Sequence, residues 1–201
     1  GMLVMSGDVL LLFNPLQIDF SGHNAAALSF KESADVGKNH GVFLRGEDGT
    51  VAQFLHKQSV DSLRRIGAVN DDGRVDIDTG AVLFSVEVLQ ALMQLVLEEG
   101  RLHPEKFSRY VSRTACLSLY GDFLYPMASR STLEEYWEQG TDGVLDDALR
   151  EIRTELWNTL HRFSLKLLRL APAKFLHFGT TREIWRLMVQ DTPQYRQLGW
   201  T

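Results

Sequence analysis

The chain has 201 residues, of which 44% are hydrophobic, and 21 basic against 26 acidic side chains give it a formal net charge of −5. It has no basic run, which argues against nucleic-acid binding through phosphates, and its single cysteine excludes an internal disulfide and a Cys-rich zinc site. No apolar run is long enough to span a membrane, so we predict one cytoplasmic domain without nucleic-acid or membrane partners.

The first third of the chain predicts strands. The apolar run 3–13 contains one acidic residue, Asp8, and a carboxylate inside a buried strand is costly. We expect the run to break at Gly7, so that Asp8 lies where one strand ends. Further strands are predicted at 25–30, 41–45 and 51–55, with a polar loop at 33–39 and a hairpin turn joining the last two strands.

The rest of the chain predicts helices with a few strands. Ser59 is a typical N-cap for a short helix that ends at Ile66, and Gly100 ends a helix predicted over 86–99. Further helices are predicted at 107–111, at 144–163 and from Thr180 or Thr181 onwards, and further strands at 75–78, 81–84, 165–168 and 175–178, while 115–120 fits either. We therefore predict a mixed α/β fold over one domain, 1–201, with a mixed sheet in the N-terminal part and a helix-rich C-terminal half.

Polar residues follow the predicted strands, and ligands of open α/β sheets bind beyond strand ends. His56 and Lys57 lie at the end of one predicted apolar strand, and Asp8 lies at the break of an earlier apolar run. The remainder of one polar pocket is predicted at Asp78-Thr79-Gly80 and at Tyr120-Gly121-Asp122. A purely structural interpretation is also open, with Asp8 in a turn, Asp122 as an N-cap and Lys57 as a solvated strand end.

Five segments together resemble one enzyme family. In chain order they are Asn39-His40-Gly41-Val42-Phe43, Phe54-Leu55-His56-Lys57-Gln58-Ser59, Asp78-Thr79-Gly80-Ala81-Val82-Leu83-Phe84, Tyr120-Gly121-Asp122-Phe123-Leu124 and Phe175-Leu176-His177-Phe178-Gly179-Thr180-Thr181-Arg182-Glu183. This series resembles the fucose-1-phosphate guanylyltransferase (GDP-fucose pyrophosphorylase) family, including the version fused to fucokinase. The resemblance implies a nucleotide-diphospho-sugar transferase-like fold, GTP and a sugar 1-phosphate as substrates, and a need for Mg²⁺.

The resemblance also implies roles for individual residues. Asp8 resembles the carboxylate of a Gly-Asp pair that binds Mg²⁺, and Asp122 resembles the second metal aspartate. Lys57 resembles the catalytic lysine that contacts the sugar phosphate, although His56 stands where the family has an acid. Residues expected to bind substrate are His56, Asp78, Thr79 and Gly80.

One departure from the family pattern concerns the nucleotide phosphates. The family has a Gly-rich loop whose backbone amides cradle them, and no such loop precedes Asp8 in this sequence. The resemblance therefore covers the C-terminal half of a sugar nucleotidyltransferase domain. The alternative to an enzyme is a non-catalytic remnant or half-domain that acts through association with a complementing partner or with itself as a homo-oligomer.

Overall fold

The structure is a computed structural model that describes residues 1–19, 21–138, 145–190 and 193–197. Its strands are β1 (Met2–Met5), β2 (Val9–Phe13), β3 (Ala25–Ser33), β4 (Gly41–Arg45), β5 (Val51–His56), β6 (Arg74–Phe84), β7 (Leu97–Glu98), β8 (Arg101–Leu102), β9 (Leu165–Arg169) and β10 (Ala173–His177). Its α-helices are α1 (Ala34–Gly37), α2 (Val60–Ile66), α3 (Val86–Gln94), α4 (Pro104–Tyr110), α5 (Leu133–Glu138), α6 (Asp147–Leu160), α7 (Thr181–Val189) and α8 (Pro193–Gln197). Short 3₁₀ turns lie at Pro15–Gln17 and Tyr125–Met127, and a π-helical turn lies at Leu119–Leu124.

A six-stranded mixed sheet forms the centre of the fold. Its order is β5-β4-β6-β3-β9, and β1 pairs with β6 beside this path. The pair β3–β9 is parallel, whereas the other pairs of this sheet are antiparallel. The prediction of a mixed α/β fold is confirmed, and the C-terminal half contributes β9 to the sheet in addition to its helices.

The eleven-residue strand β6 organises this sheet. Along one edge it pairs with β3 over almost its whole length, from Ser33 opposite Arg74 to Ala25 opposite Phe84. Two shorter strands share its other edge: β4 pairs at the beginning of β6, and β1 pairs at its end. Residues 78–80 of β6 therefore face the space between the end of β1 and the beginning of β4.

The middle of β6 is irregular. The register between β3 and β6 shifts between Ala27 and Ser29, and the Thr79 hydroxyl donates a hydrogen bond to the Leu28 carbonyl at 2.7 Å. Gly80 has a φ of 71°, in the left-handed region that other residues rarely adopt. A Cβ on this glycine would lie 2.8 Å from the Cβ of Ser6, so a side chain here would also displace the end of β1.

Both faces of the sheet are covered. One face packs against α3 and α6, with buried side chains such as Phe43, Val82, Leu156 and Leu160. The opposite face packs against α2 at the β4–β5 hairpin and against a two-stranded ribbon of β2 and β10 elsewhere. Within the residues that the structure describes, no helix has the length and apolar character that a membrane span requires.

Several predicted boundaries are confirmed by these elements. The run 3–13 breaks at Gly7 and Asp8, and Ser59 caps α2 by accepting a hydrogen bond from the Ser62 amide at 3.2 Å. The predicted hairpin is formed by β4 and β5, and the two predicted segments at 75–84 form the continuous strand β6. Thr180 is the N-cap of α7 and Thr181 is its first helical residue, which agrees with the predicted start at one of these two threonines.

Other boundaries were predicted wrongly. The helix predicted over 86–99 ends at Gln94, because Leu97–Glu98 turns back to pair with Arg101–Leu102. The predicted loop 33–39 contains α1, which Ser33 caps, and the long helix predicted at 144–163 is α6, which Asp146 caps. The beginning of that prediction, Val144, lies outside the described residues. The segment 115–120 forms no strand and leads into the π-helical turn.

Candidate functional site

The space between β1 and β4 along the edge of β6 brings several strand ends together. Met5 of β1 pairs with Ala81, and Val42 of β4 pairs with Ile77, so no strand of the described chain pairs with the part of this edge between them. Ser6, just beyond β1, donates its amide to the Gly80 carbonyl there at 2.8 Å. The end of β5 lies alongside, because His56 pairs with the first residue of β4, Gly41. We call this opening, bounded by Asp78–Gly80, the ends of β1 and β5 and the start of β4, the β6 notch.

Asp8 lies beside the notch in a chain of polar contacts. The Ser6 hydroxyl donates to Asp8 Oδ1 at 2.7 Å, and His177 Nε2 lies 3.2 Å from Asp8 Oδ2. The backbone also ties the two segments, since the Phe178 amide donates to the Asp8 carbonyl at 2.8 Å. The hydrogen bond from Ser6 holds the pKa of the exposed Asp8 carboxyl below its usual range, so Asp8 is ionised at neutral pH.

Lys57 lies at the same end of the sheet. Its amide donates to the His40 carbonyl at 3.2 Å, and its φ of 45° places a non-glycine residue in the left-handed region. Such backbone conformations persist where the surrounding structure holds them, and they concentrate at functional sites. Burial, followed by the charges of His177 and Lys57, lowers the pKa of His40. The ring centroids of His40 and His177 are 6.1 Å apart. Because His177 also contacts Asp8, one continuous group of side chains runs from Lys57 through the two histidines to Asp8.

Asp78 forms a second group at the notch. Its Oδ1 accepts a hydrogen bond from the Gly80 amide at 2.9 Å, and burial raises its pKa to about 6 despite that hydrogen bond and the adjacent Tyr120 hydroxyl. Tyr120 stacks on Phe54, with ring centroids 4.8 Å apart and planes 15° apart. Gly41 makes room for this arrangement, because a Cβ there would lie 2.7 Å from the Phe54 ring.

Asp76, two residues before Asp78 on β6, has the opposite environment. Arg169 donates to both of its carboxylate oxygens, at 2.6 and 2.7 Å, and Lys31 Nζ lies 3.1 Å away. This buried carboxylate is compensated by two cations. The contrast indicates that Asp76 stabilises the sheet, whereas the Asp78 carboxyl at the notch has no cationic partner among the described residues.

Five of the seven predicted site residues border the notch: Asp8, His56, Lys57, Asp78 and Gly80. Thr79 does not present its side chain there. It is fully buried, and its hydroxyl is used by the Leu28 carbonyl. Its role is to hold the irregular part of β6, and its predicted contact with substrate does not fit this geometry.

Asp122, predicted as a metal ligand, lies in a buried ion pair away from the notch. Its side chain is 1% exposed, one oxygen accepts from Arg153 Nε at 3.0 Å, and the other accepts from the Ser118 amide at 2.8 Å. Mg²⁺ retains waters and binds substrate phosphates, which this enclosed ion pair excludes. The ion pair joins the π-helical turn to Arg153 of α6. Removing one partner of such a buried pair lowers the free energy of unfolding by about 3–5 kcal/mol.

Tyr120 belongs to a segment that the sequence predicts for the pocket, whereas His40, His177 and Phe54 were not predicted as site residues. His40 and His177 each adjoin a strand end, which was the available signal, but neither has a carboxylate nearby in the sequence. Asp8 and His177 meet across 169 positions through the pairing of β2 with β10. That pairing cannot be derived from local patterns.

An apolar cavity of about 560 Å³ lies elsewhere, between α3, α4 and α6. Leu92, Phe107 and Leu156 are among its lining residues, and none of the residues at the notch lines it. Its lining is mainly apolar, although it includes Tyr110, Ser112 and Arg113. The notch, where a lysine lies near carboxylates and histidines, is the better candidate for phosphate chemistry.

Comparisons with known proteins agree with the resemblance of the five segments. The sequence profile of the fucose pyrophosphorylase domain matches residues 1–201. Human fucose-1-phosphate guanylyltransferase is 25% identical over 99% of this chain and 36% of its own length, and its mouse counterpart is 24% identical over 99% and 37%. The bifunctional fucokinase/GDP-fucose pyrophosphorylase of Arabidopsis thaliana is 24% identical over 92% of this chain and 17% of its own length. The chain thus spans well under half of each relative.

The contrast between Asp78 and Asp76 predicts opposite effects of two matched substitutions on stability. Asp78 has a folded pKa of about 6, above its usual value of 3.8, so its contribution to stability falls as the pH rises through this interval. We expect Asp78→Asn to raise the free energy of unfolding at pH 8 by about 1–3 kcal/mol, with the gain disappearing near pH 4. Asp76→Asn should instead lower it by about 1–3 kcal/mol at pH 8, because Arg169 and Lys31 lose their partner.

Urea unfolding of both variants at pH 4 and pH 8 measures these differences. A loss of stability in Asp78→Asn at pH 8 would show that its carboxylate is compensated in the folded protein.

Proposed function

Since the chain belongs to the fucose pyrophosphorylase family, we propose that it serves a sugar-1-phosphate guanylyltransferase reaction with GTP and fucose 1-phosphate as substrates. In this reaction a phosphate oxygen of the sugar 1-phosphate attacks the α-phosphorus of GTP. The bond from that phosphorus to the bridging oxygen breaks, and pyrophosphate leaves with the bonding electrons. Negative charge gathers on the phosphates, and catalysis requires groups that stabilise it.

The observation that best supports this proposal is that Lys57, Asp8 and Asp78 adjoin one notch although they come from three separate segments of the sheet. One side of the notch carries the Lys57 ammonium group, with His40 and His177 beside it. The Asp78 carboxyl lies with Tyr120 on the other side. Such a division suits a substrate that has a phosphate at one end and neutral hydroxyl groups at the other.

Lys57 supplies the charge that the phosphate group of the sugar would meet. Its backbone is fixed by the hydrogen bond to His40, while its side chain is exposed and extends from the strand end. Within the described ranges, no carboxylate forms a salt bridge with Lys57. An ammonium group without a protein counter-ion is suited to contact a phosphate, because three donors surround a compact charge.

The residues present fit Mg²⁺ at Asp8 but not at Asp122. Among the described residues, no group of three or more His, Cys, Asp or Glu is arranged to hold a metal ion. Mg²⁺ needs fewer protein ligands, since it binds through one or two carboxylates together with substrate phosphates. We propose that the ionised, exposed Asp8 would be that carboxylate. Bound there, the ion would neutralise charge on the phosphates as pyrophosphate leaves.

Substitution of Lys57 tests this function. We expect Lys57→Ala to weaken fucose 1-phosphate binding about 10–100-fold in calorimetric titration, because a charge-assisted contact with the phosphate is lost. Pyrophosphate release from GTP plus fucose 1-phosphate should fall by at least as much. Lys106→Ala is the matched control, since Lys106 lies on α4 and pairs with Glu98. Equal affinity in the wild type and both variants would refute a phosphate contact by Lys57.

A second candidate function is association, which the surface of α7 supports. Four of its apolar side chains are exposed: Ile184 at 41%, Trp185 at 57%, Met188 at 65% and Val189 at 57%. In this reading the chain acts by binding itself or a partner through that surface. The sedimentation coefficient should then rise with protein concentration, and the double substitution Trp185→Arg with Met188→Arg should abolish the rise. A concentration-independent monomer would argue against self-association.

A further inference from the structure

The apolar cavity between α3, α4 and α6 reaches from the core of the protein to its surface. At its inner end lies the buried Leu156 of α6, and its sides include Leu92 of α3 and Phe123 of the π-helical turn. At its outer end lie Phe107 and Val111, whose side chains are exposed. Its volume of about 560 Å³ is in the range of small-molecule sites in proteins. A ligand can therefore enter from solvent and reach the apolar core.

Most polar groups that line the cavity already have partners within the protein. The Tyr110 hydroxyl donates to one carboxylate oxygen of Glu155, and Arg109 Nη2 lies 3.2 Å from the other. The Ser112 hydroxyl donates to the Arg109 carbonyl at 3.2 Å and accepts from the Ala115 amide at 3.1 Å. These contacts hold the end of α4 against α6, so we do not assign them to a ligand.

Arg113 is the exception among the lining side chains. It alone carries a formal charge among the residues known to line the cavity, and it is exposed. Over the ranges that the structure describes, its guanidinium group forms no ion pair or hydrogen bond with another residue. A guanidinium group binds a carboxylate through two parallel hydrogen bonds. The cavity thus combines an apolar interior with one cationic group that suits an anion.

We propose that this cavity binds a small amphipathic carboxylate, whose apolar body lies between Leu92, Phe107 and Leu156 and whose carboxylate pairs with Arg113. The apolar body removes the lining side chains from water, which is the main favourable contribution to binding. The guanidinium group sets the orientation of the ligand. This site goes beyond the proposed function, because none of the residues at the β6 notch lines the cavity.

Cys116 provides a direct measurement of occupancy. It is the only cysteine of the chain, its side chain is exposed, and it lines the cavity. Iodoacetamide must reach the sulfur atom to alkylate it, so a ligand in the cavity shields the thiol. Mass spectrometry of the alkylated protein then gives the rate, and this readout is independent of any catalytic activity.

The test compares decanoate with decanol, which share one apolar chain and differ in the charge of the head group. Below its micelle-forming concentration, decanoate should slow alkylation of Cys116 in a saturable manner. Arg113→Ala should weaken decanoate binding about 5–10-fold and leave decanol binding unchanged, because only decanoate pairs with the guanidinium group. Unchanged decanol binding also shows that the variant keeps the cavity. Arg65→Ala is the matched control, since Arg65 is exposed on α2 at the opposite face of the sheet.

Three results would overturn the proposal. Absence of protection by either probe would show that the cavity does not take such a ligand. Equal effects of Arg113→Ala on decanoate and decanol would remove the pairing of the carboxylate with Arg113. Alkylation that slows as the protein concentration rises, with no probe present, would identify a second copy of the chain as the occupant. Fucose 1-phosphate should leave the alkylation rate unchanged, which would support a site separate from the notch.

Discussion

The hydrogen bond from the Thr79 hydroxyl to the Leu28 carbonyl is the constraint on which the candidate site depends. It lies within a register shift between β3 and β6, next to the left-handed Gly80. An irregularity of this kind re-aims side chains and ends regular pairing. Here it separates the part of β6 that pairs with β4 from the part that pairs with β1, so an opening arises inside a sheet that is otherwise covered on both faces.

The buried carboxylates of this fold differ in whether a cation neutralises their charge. Asp76 and Asp122 are both buried in ion pairs, with Arg169 and Arg153, and each serves stability. No cation pairs with Asp78 in the part of the chain that the structure describes, and burial raises its pKa to about 6. A protein retains a carboxylate of this kind at a cost to stability when function requires it, as perturbed groups at functional sites generally illustrate.

Local signals in the sequence predicted much of the fold and part of the site. The cap at Ser59 and the break before Asp8 depend on neighbouring residues, so they could be read directly. The partner of Asp122 could not be predicted from neighbouring residues, because Arg153 lies 31 positions away, on α6. The end of α3 was misjudged for a related reason: apolar residues continue the helical spacing past Gln94, but the chain there pairs as a small hairpin.

Amide chemical shifts measured while fucose 1-phosphate is added to nitrogen-15-labelled protein test the central claim most directly. Our account predicts that the largest changes occur around the β6 notch, at Gly41, Lys57 and Gly80, with little change at residues that line the apolar cavity, such as Leu92 and Phe107. Changes confined to that cavity, or no saturable changes anywhere, would contradict the assignment of the notch as the substrate site.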